Sequence, residues 1–207
     1  MLQLPRPHDS RTRKGPSLTP DSIQHINIKI FVIDPLAIHL EDAVGVFHKW
    51  IRDGVGPELL IDVADYTHVH EGPGILLIAH EANYSLDLRD GRLGLLYNRK
   101  AALDGTFHSR LAQAHEAALA ACDRLEQESP FKGKLQFDRG DLEFFVNDRL
   151  LAPNTDETWQ ALKPELEQHF PGAKLERIGE ARDLFRVSVR MLTWNFTRSQ
   201  ASPAAQN

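Results

Sequence analysis

Seven residues in one short stretch have side chains that could do chemistry: Asp62, Asp65, Tyr66, His68, His70, His80 and Glu81. They flank the turn signal His70-Glu71-Gly72-Pro73-Gly74 between two strand-like runs. A turn at 70–74 that pairs Val69 with Ile75 would set Ala64 opposite His80, with Asp62 and Tyr66 beside it on the same face and His68 two positions further on. Asp65 and Glu81 would then point the other way. A carboxylate beside an imidazole raises the histidine pKa and fixes its tautomer, as general-base chemistry and metal binding both require. Asp62, Tyr66 and His80 are therefore the candidate catalytic residues, and Asp62, His68 and His80 the candidate metal ligands. The same residues also suit a structural role, because His80 shares its expected face with Ile78, Leu86 and Leu88, where a histidine satisfied by Asp62 or Tyr66 would need no further purpose. That structural reading is favoured here.

A second pair of candidates comes from a short internal repeat. Gly91-Arg92-Leu93-Gly94-Leu95-Leu96-Tyr97-Asn98-Arg99 reads again as Gly140-Asp141-Leu142-Glu143-Phe144-Phe145-Val146-Asn147-Asp148. Asn98 and Asn147 then hold equivalent places, each ending a strand, where two amides could grip a ligand or simply stop the strand. High-specificity signatures are missing: there is no P-loop, no G-x-G-x-x-G that opens a helix, no G-x-S-x-G elbow, no H-E-x-x-H and no C-x-x-C. No cofactor is expected.

The elements that must position these residues follow from periodicity. Ile26 to Ile33 alternates and then turns wholly apolar, as a strand entering a core does, and Asp34-Pro35 reads as a helix start. Leu40, Val44, Phe47 and Ile51 mark a helix closed by Gly54, Gly56 and Pro57. Leu59 to Val69 is a strand, and Ile75 to Lys100 is a long hairpin about Asp90-Gly91 that pairs Leu88 with Leu93, Leu86 with Leu95 and Tyr84 with Tyr97. Its opposite face, with Ser85, Asp87, Arg89 and Arg92, is expected to be wet. Leu111, His115, Ala118, Cys122 and Leu125 make one helical stripe. The second copy of the repeat is expected to turn at Arg139-Gly140, pairing Phe137 with Leu142 and Leu135 with Phe144. A helix from Asn154 or Thr155, with Trp159, Leu162, Leu166 and Phe170 inward, precedes two last strands at 174–178 and 184–191. The fold class is α+β: a mainly antiparallel sheet with helices packed on one face, containing an internal strand-turn-strand-helix repeat.

Composition bounds the rest. The 207 residues carry a net charge of −5, which argues against a nucleic-acid partner, since phosphate binding needs a dense positive surface. The single cysteine, Cys122, excludes an internal disulfide. No apolar run reaches the roughly 18 to 20 residues of a membrane span, so no membrane partner is expected and the location expected is cytoplasmic. Residues 1–22 and 193–207 read as tails around a single domain at 23–192.

The order helix, three strands, helix, two strands, helix within this pattern is similar to the topology of type III secretion chaperones, which are small acidic dimeric binding proteins. Leu60-Ile61-Asp62-Val63-Ala64-Asp65-Tyr66-Thr67-His68-Val69 and Gly72 to Ser85 also resemble an uncharacterised bacterial protein family of about 200 residues, over roughly residues 26 to 190. That resemblance implies a bacterial cytosolic origin and no particular activity. The expectation is an accessory or binding protein, homodimeric, holding an unidentified protein or small-molecule partner. The rival is a metal-assisted hydrolase or other acid/base enzyme centred on Asp62, His68 and His80.

Overall fold

A computed structural model describes residues 18–191. Eight strands form one antiparallel sheet: β1 Ile26–Val32, β2 Leu60–Tyr66, β3 Gly74–Ala79, β4 Ala82–Asp87, β5 Gly94–Arg99, β6 Phe137–Val146, β7 Ala173–Ile178 and β8 Phe185–Met191. Their order across the sheet is β2-β3-β4-β5-β1-β6-β8-β7. Three helices complete the fold, α1 Asp42–Asp53, α2 Phe107–Gln127 and α3 Asp156–His169. The α2 helix lies over β1 and β5, α1 over β2 and β3, and α3 over β7.

The alternation of β1 explains this arrangement. Ile26, Ile28 and Ile30 join the core beneath α2, with Leu95 and Tyr97 of β5 and Leu142 and Phe144 of β6. Asn27, Lys29 and Phe31 take the helix-free side. The α2 stripe is as expected: Leu111, Ala118, Cys122 and Leu125 are buried, and the alanines between them let the helix approach the sheet closely. The first helix starts later than expected. Asp34 does cap a turn, accepting from Leu36 N at 3.0 Å, but that turn is a short 3-10 segment at 35–37.

Two turns differ from expectation. Asp90 and Gly91 both have positive φ (59° and 67°) and Arg92 N bonds Arg89 O at 3.4 Å, the expected primed turn, with Tyr84 facing Tyr97 and Leu86 facing Leu95. The Arg139-Gly140 turn does not form. Phe137–Val146 is one strand, whose register against β1 shifts between Ile30, opposite Leu142, and Phe31, opposite Asp138. Neither Arg139 nor Gly140 has the positive φ that a primed turn needs. Arg139 is instead clamped to α2, donating to Glu126 at 2.6 and 2.8 Å and to Asp123 at 2.6 Å, so the glycine marks a bulge. The internal strand-turn-strand-helix repeat is therefore absent as a structural unit. Conversely, the expected single strand after Ile75 breaks at His80-Glu81, because Ile78 faces Asn83 across a tight reversal.

The chain is already part of the fold at its first described residues. Leu18 packs against the core, and Pro20–Ser22 form a 3-10 turn in which Asp21 accepts from Phe107 N at 2.7 Å. Buried Arg110 of α2 donates to Asp21 O at 2.7 Å and to Ile23 O at 2.8 Å. The tail expected at 1–22 thus gives way to structure by residue 18, and the rest of both expected tails, 1–17 and 192–207, lies outside the described residues. Among the described residues no helix is long and apolar enough to cross a membrane.

Candidate functional site

The first expected constellation is dispersed. β2 pairs with β3 four residues away from the expected register, so Ala64 faces Leu76 and Asp62 faces Ile78. His80 leaves the sheet altogether and is exposed in the β3–β4 turn, its N–H bonded to Leu59 O at 2.8 Å. His68 lies past the other end of β2, stacked on Tyr66 with ring centroids 6.4 Å apart. Leu60 pairs with Ala79 and Tyr66 with Gly74, so His68 and His80 lie beyond opposite ends of the β2–β3 ladder. Asp62 is exposed and accepts from Val63 N at 2.8 Å. Among the described residues no group of three or more His, Cys, Asp or Glu side chains is placed to hold a metal ion. Asn98 sits between Asn27 and Asn83 on neighbouring strands, whereas Asn147 is exposed beyond β6 with its N–H on His25 O at 3.0 Å. The two amides are not equivalent.

A different set of residues converges where α1 ends. Gly54, at φ 62° and ψ 43°, closes the helix in the left-handed conformation that glycine adopts without steric cost. The chain then passes Val55, Gly56 and Pro57, and it delivers Glu58 to the floor of a cleft between α1, α2 and the sheet. The cleft holds about 300 Å³ and its walls include Trp50, Leu77, Tyr84, Ala117 and Ala121. Small residues on this face of α2 leave the room that larger side chains would fill.

Glu58 is the centre of a polar network in this mostly apolar place. Its Oε1 lies 3.4 Å from the Tyr97 hydroxyl, which also accepts from Gln113 Nε2 at 3.0 Å. Tyr84 stands edge-on to Tyr97, centroids 5.2 Å apart, as the β4–β5 register dictates. Burial pushes the Glu58 carboxyl above the usual glutamate range, against the pull of the Tyr84 and Tyr97 hydroxyls and the Arg99 charge. Burial likewise raises both tyrosine hydroxyls, with the Glu58 charge adding to the effect. The second carboxyl oxygen, Oε2, is buried and has no hydrogen-bond partner among the described residues. At the rim the Arg124 guanidinium lies 5.5 Å from the Trp50 ring centroid.

Sequence reasoning placed Tyr84 beside Tyr97 but missed Glu58. Its only local signal was a lone acid after the helix-ending Gly54-Val55-Gly56-Pro57 and before an apolar strand. In comparisons with known proteins the chain matches no family model and no curated protein, so the functional reading rests on this geometry.

Proposed function

We propose that the protein is a small-molecule binding protein, whose cleft takes a ligand with an apolar body and a hydrogen-bond-donating, amine-like head at Glu58. One observation carries this reading: among the described residues Glu58 Oε2 is an acceptor with no donor, buried beside a cleft lined mostly by aromatic and aliphatic side chains, with Gln113, Glu116 and Arg124 as its other polar groups. Buried polar atoms are normally paired, and leaving one unpaired costs roughly 1–3 kcal/mol that a ligand donor can recover. An ammonium head adds attraction to the carboxylate and to the Trp50 and Tyr84 rings, while the apolar body gains from leaving water.

The test is calorimetry with phenethylamine, 2-phenylethanol and phenylacetate, against wild type and Glu58→Gln. The amine should bind at least tenfold more tightly than the alcohol, with phenylacetate weakest. Because the carboxyl pKa is raised, protonation competes with the amine, so affinity should fall as pH is lowered, and Glu58→Gln should remove both the preference and the pH dependence. Equal binding of amine and alcohol, or no binding by any of the three, refutes the reading.

A homodimer belongs to the same proposal. β2 is an edge strand, and Leu59 (69% exposed) and Ile61 (52% exposed) stand on or beside it with Tyr66 and Val69 also exposed. An apolar, unpaired edge is what a second copy could cover.

A further inference from the structure

The helix-free side of the sheet carries a second pocket, built around a lysine in the middle of the fold. Lys29 lies on β1 near the centre of the sheet, yet is only 3% exposed. Its stem crosses β5 at Gly94, where an added Cβ would stand 2.7 Å from Ile30 O and 3.0 Å from Lys29 Cε, so only glycine leaves the path open. The amine then reaches Asp87 Oδ1 on β4 at 2.6 Å and Arg89 O at 3.1 Å. Asp87 is 1% exposed; its Oδ1 also accepts from Arg89 N at 3.1 Å, and its Oδ2 lies 3.5 Å from the Arg89 guanidinium. These residues line a space of about 240 Å³ with Phe145, Arg149, Leu184 and Arg186. Arg186 is braced by Glu143 at 2.6 Å and by Asp90, its short reach across β8 and β6 fixing it at the pocket wall.

We propose that this pocket captures a small 2-oxo acid as an imine on Lys29, with the acid's carboxylate held by Arg149 and Arg186. A lysine can attack a carbonyl only as the free amine, and Asp87 Oδ1, 2.6 Å from the amine, is placed to take the proton that must leave. Burial lowers the Lys29 pKa, although the Asp87 and Glu143 charges pull it back. The free amine has two N–H donors, and the structure supplies two acceptors, Asp87 Oδ1 and Arg89 O, which leaves the lone pair unengaged. The step balances without an oxidant. Lys29 ammonium passes a proton to Asp87, the lone pair adds to the carbonyl carbon as the C=O π bond opens to an alkoxide, an N–H proton moves to that oxygen, and the carbinolamine loses its hydroxyl as water with the proton returned by Asp87, leaving the iminium. One water leaves and one C=N bond replaces C=O. A carboxylate on the substrate would meet the Arg149 and Arg186 guanidiniums, in a space that the Asp90, Glu143 and Asp183 carboxylates also line.

Incubation of the full chain with pyruvate and sodium cyanoborohydride, followed by peptide mass mapping, tests this directly. Reduction makes any imine permanent, so Lys29 should be labelled at least tenfold faster than the exposed Lys163 and Lys174, and Lys29→Arg should remove only that label. Arg149→Gln should raise the pyruvate concentration for half-labelling severalfold while leaving labelling by propanal, which has no carboxylate, unchanged. Asp87→Asn should slow labelling by both carbonyl compounds. Labelling of wild-type Lys29 no faster than the exposed lysines overturns the proposal whatever the variants do, since it would show a lysine buried for structure alone. Equal loss of pyruvate and propanal labelling in Arg149→Gln overturns the carboxylate assignment.

Discussion

Replacing Asp87 by leucine asks how strongly the Lys29 pair is bound into the fold. Both partners are almost completely buried, with 4% and 1% of their side chains exposed, and breaking such a pair by removing one partner costs about 3–5 kcal/mol. A second route bounds the loss, because the stranded ammonium can give up its proton. Neutralising a lysine of ordinary pKa costs roughly 4.6 kcal/mol at pH 7 and about 2 kcal/mol at pH 9, taking 1.36 kcal/mol per pH unit. The variant should therefore lose about 3–5 kcal/mol at neutral pH and no more than about 2 kcal/mol at pH 9. The sign agrees with linkage: a lysine whose folded pKa is lowered binds fewer protons folded than unfolded between its two pKa values, so stability rises with pH across that window. Urea unfolding at both pH values, with an unchanged dependence on denaturant, gives the two numbers. Asp87→Leu with Lys29→Met should restore stability to within about 1.5 kcal/mol of wild type, since apolar groups then replace the whole pair. A single-variant loss under about 1 kcal/mol at pH 7, or one that does not shrink at pH 9, would mean that water reaches this pair as it reaches a surface one.

Gly94→Ala should cost about 1–3 kcal/mol in the same unfolding assay, because the new methyl meets the Ile30 carbonyl as well as the lysine stem; a neutral result would show that the strands can part there. The His115 imidazole, half-buried between α2 and α3 with its Nδ1 3.1 Å from His169 Nε2, is pushed down to about 4 by burial and then by the His169 charge. Its contribution is complete above the unfolded value of about 6.5 and is lost as pH falls toward 4, so wild type should lose on the order of 2 kcal/mol over that range and His115→Leu distinctly less. Ile61→Lys should turn a dimer into a monomer in sedimentation runs, with little change in the monomer's circular dichroism; an unaltered dimer would move the contact away from β2.

The eight strands expected from the sequence agree with the eight observed only because two turn readings cancel. Asp90-Gly91 was legible, since both residue types tolerate positive φ and the flanks alternate correctly. His80-Glu81 reverses the chain without positive φ, glycine, asparagine or proline, and so left no mark in the sequence. Arg139-Gly140 left a false one, because a strand glycine can signal a bulge as readily as a turn. What turns it into a bulge is Arg139 reaching Glu126 and Asp123 on a helix laid down earlier in the chain, which no local pattern reveals.

The same missed reversal explains why the Asp62, Tyr66 and His80 grouping failed. Had residues 75–88 been one strand, Ile78, His80 and Leu86 would have shared a face; with the chain reversed at 80–81, Ile78 faces Asn83 and Leu86 goes to the core with Ile75. The residues that do converge draw their chemistry from partners far along the chain. Glu58 needs Tyr97, 39 residues on, and Lys29 needs Asp87, 58 residues on. Yet one clue was present. Ile26-Asn27-Ile28-Lys29-Ile30 reads as a strand with one dry and one wet face, and a strand of that kind at an edge would leave Lys29 in water. Once β1 lies between β5 and β6, Lys29 has neighbours on both sides, and a lysine placed there must either snorkel out or find a carboxylate. The glycine directly across the next strand decides between them, because it opens the path to Asp87 and makes burial possible. Position in the sheet, which the sequence does not display, is thus what converts an ordinary alternating lysine into a buried one paired with Asp87.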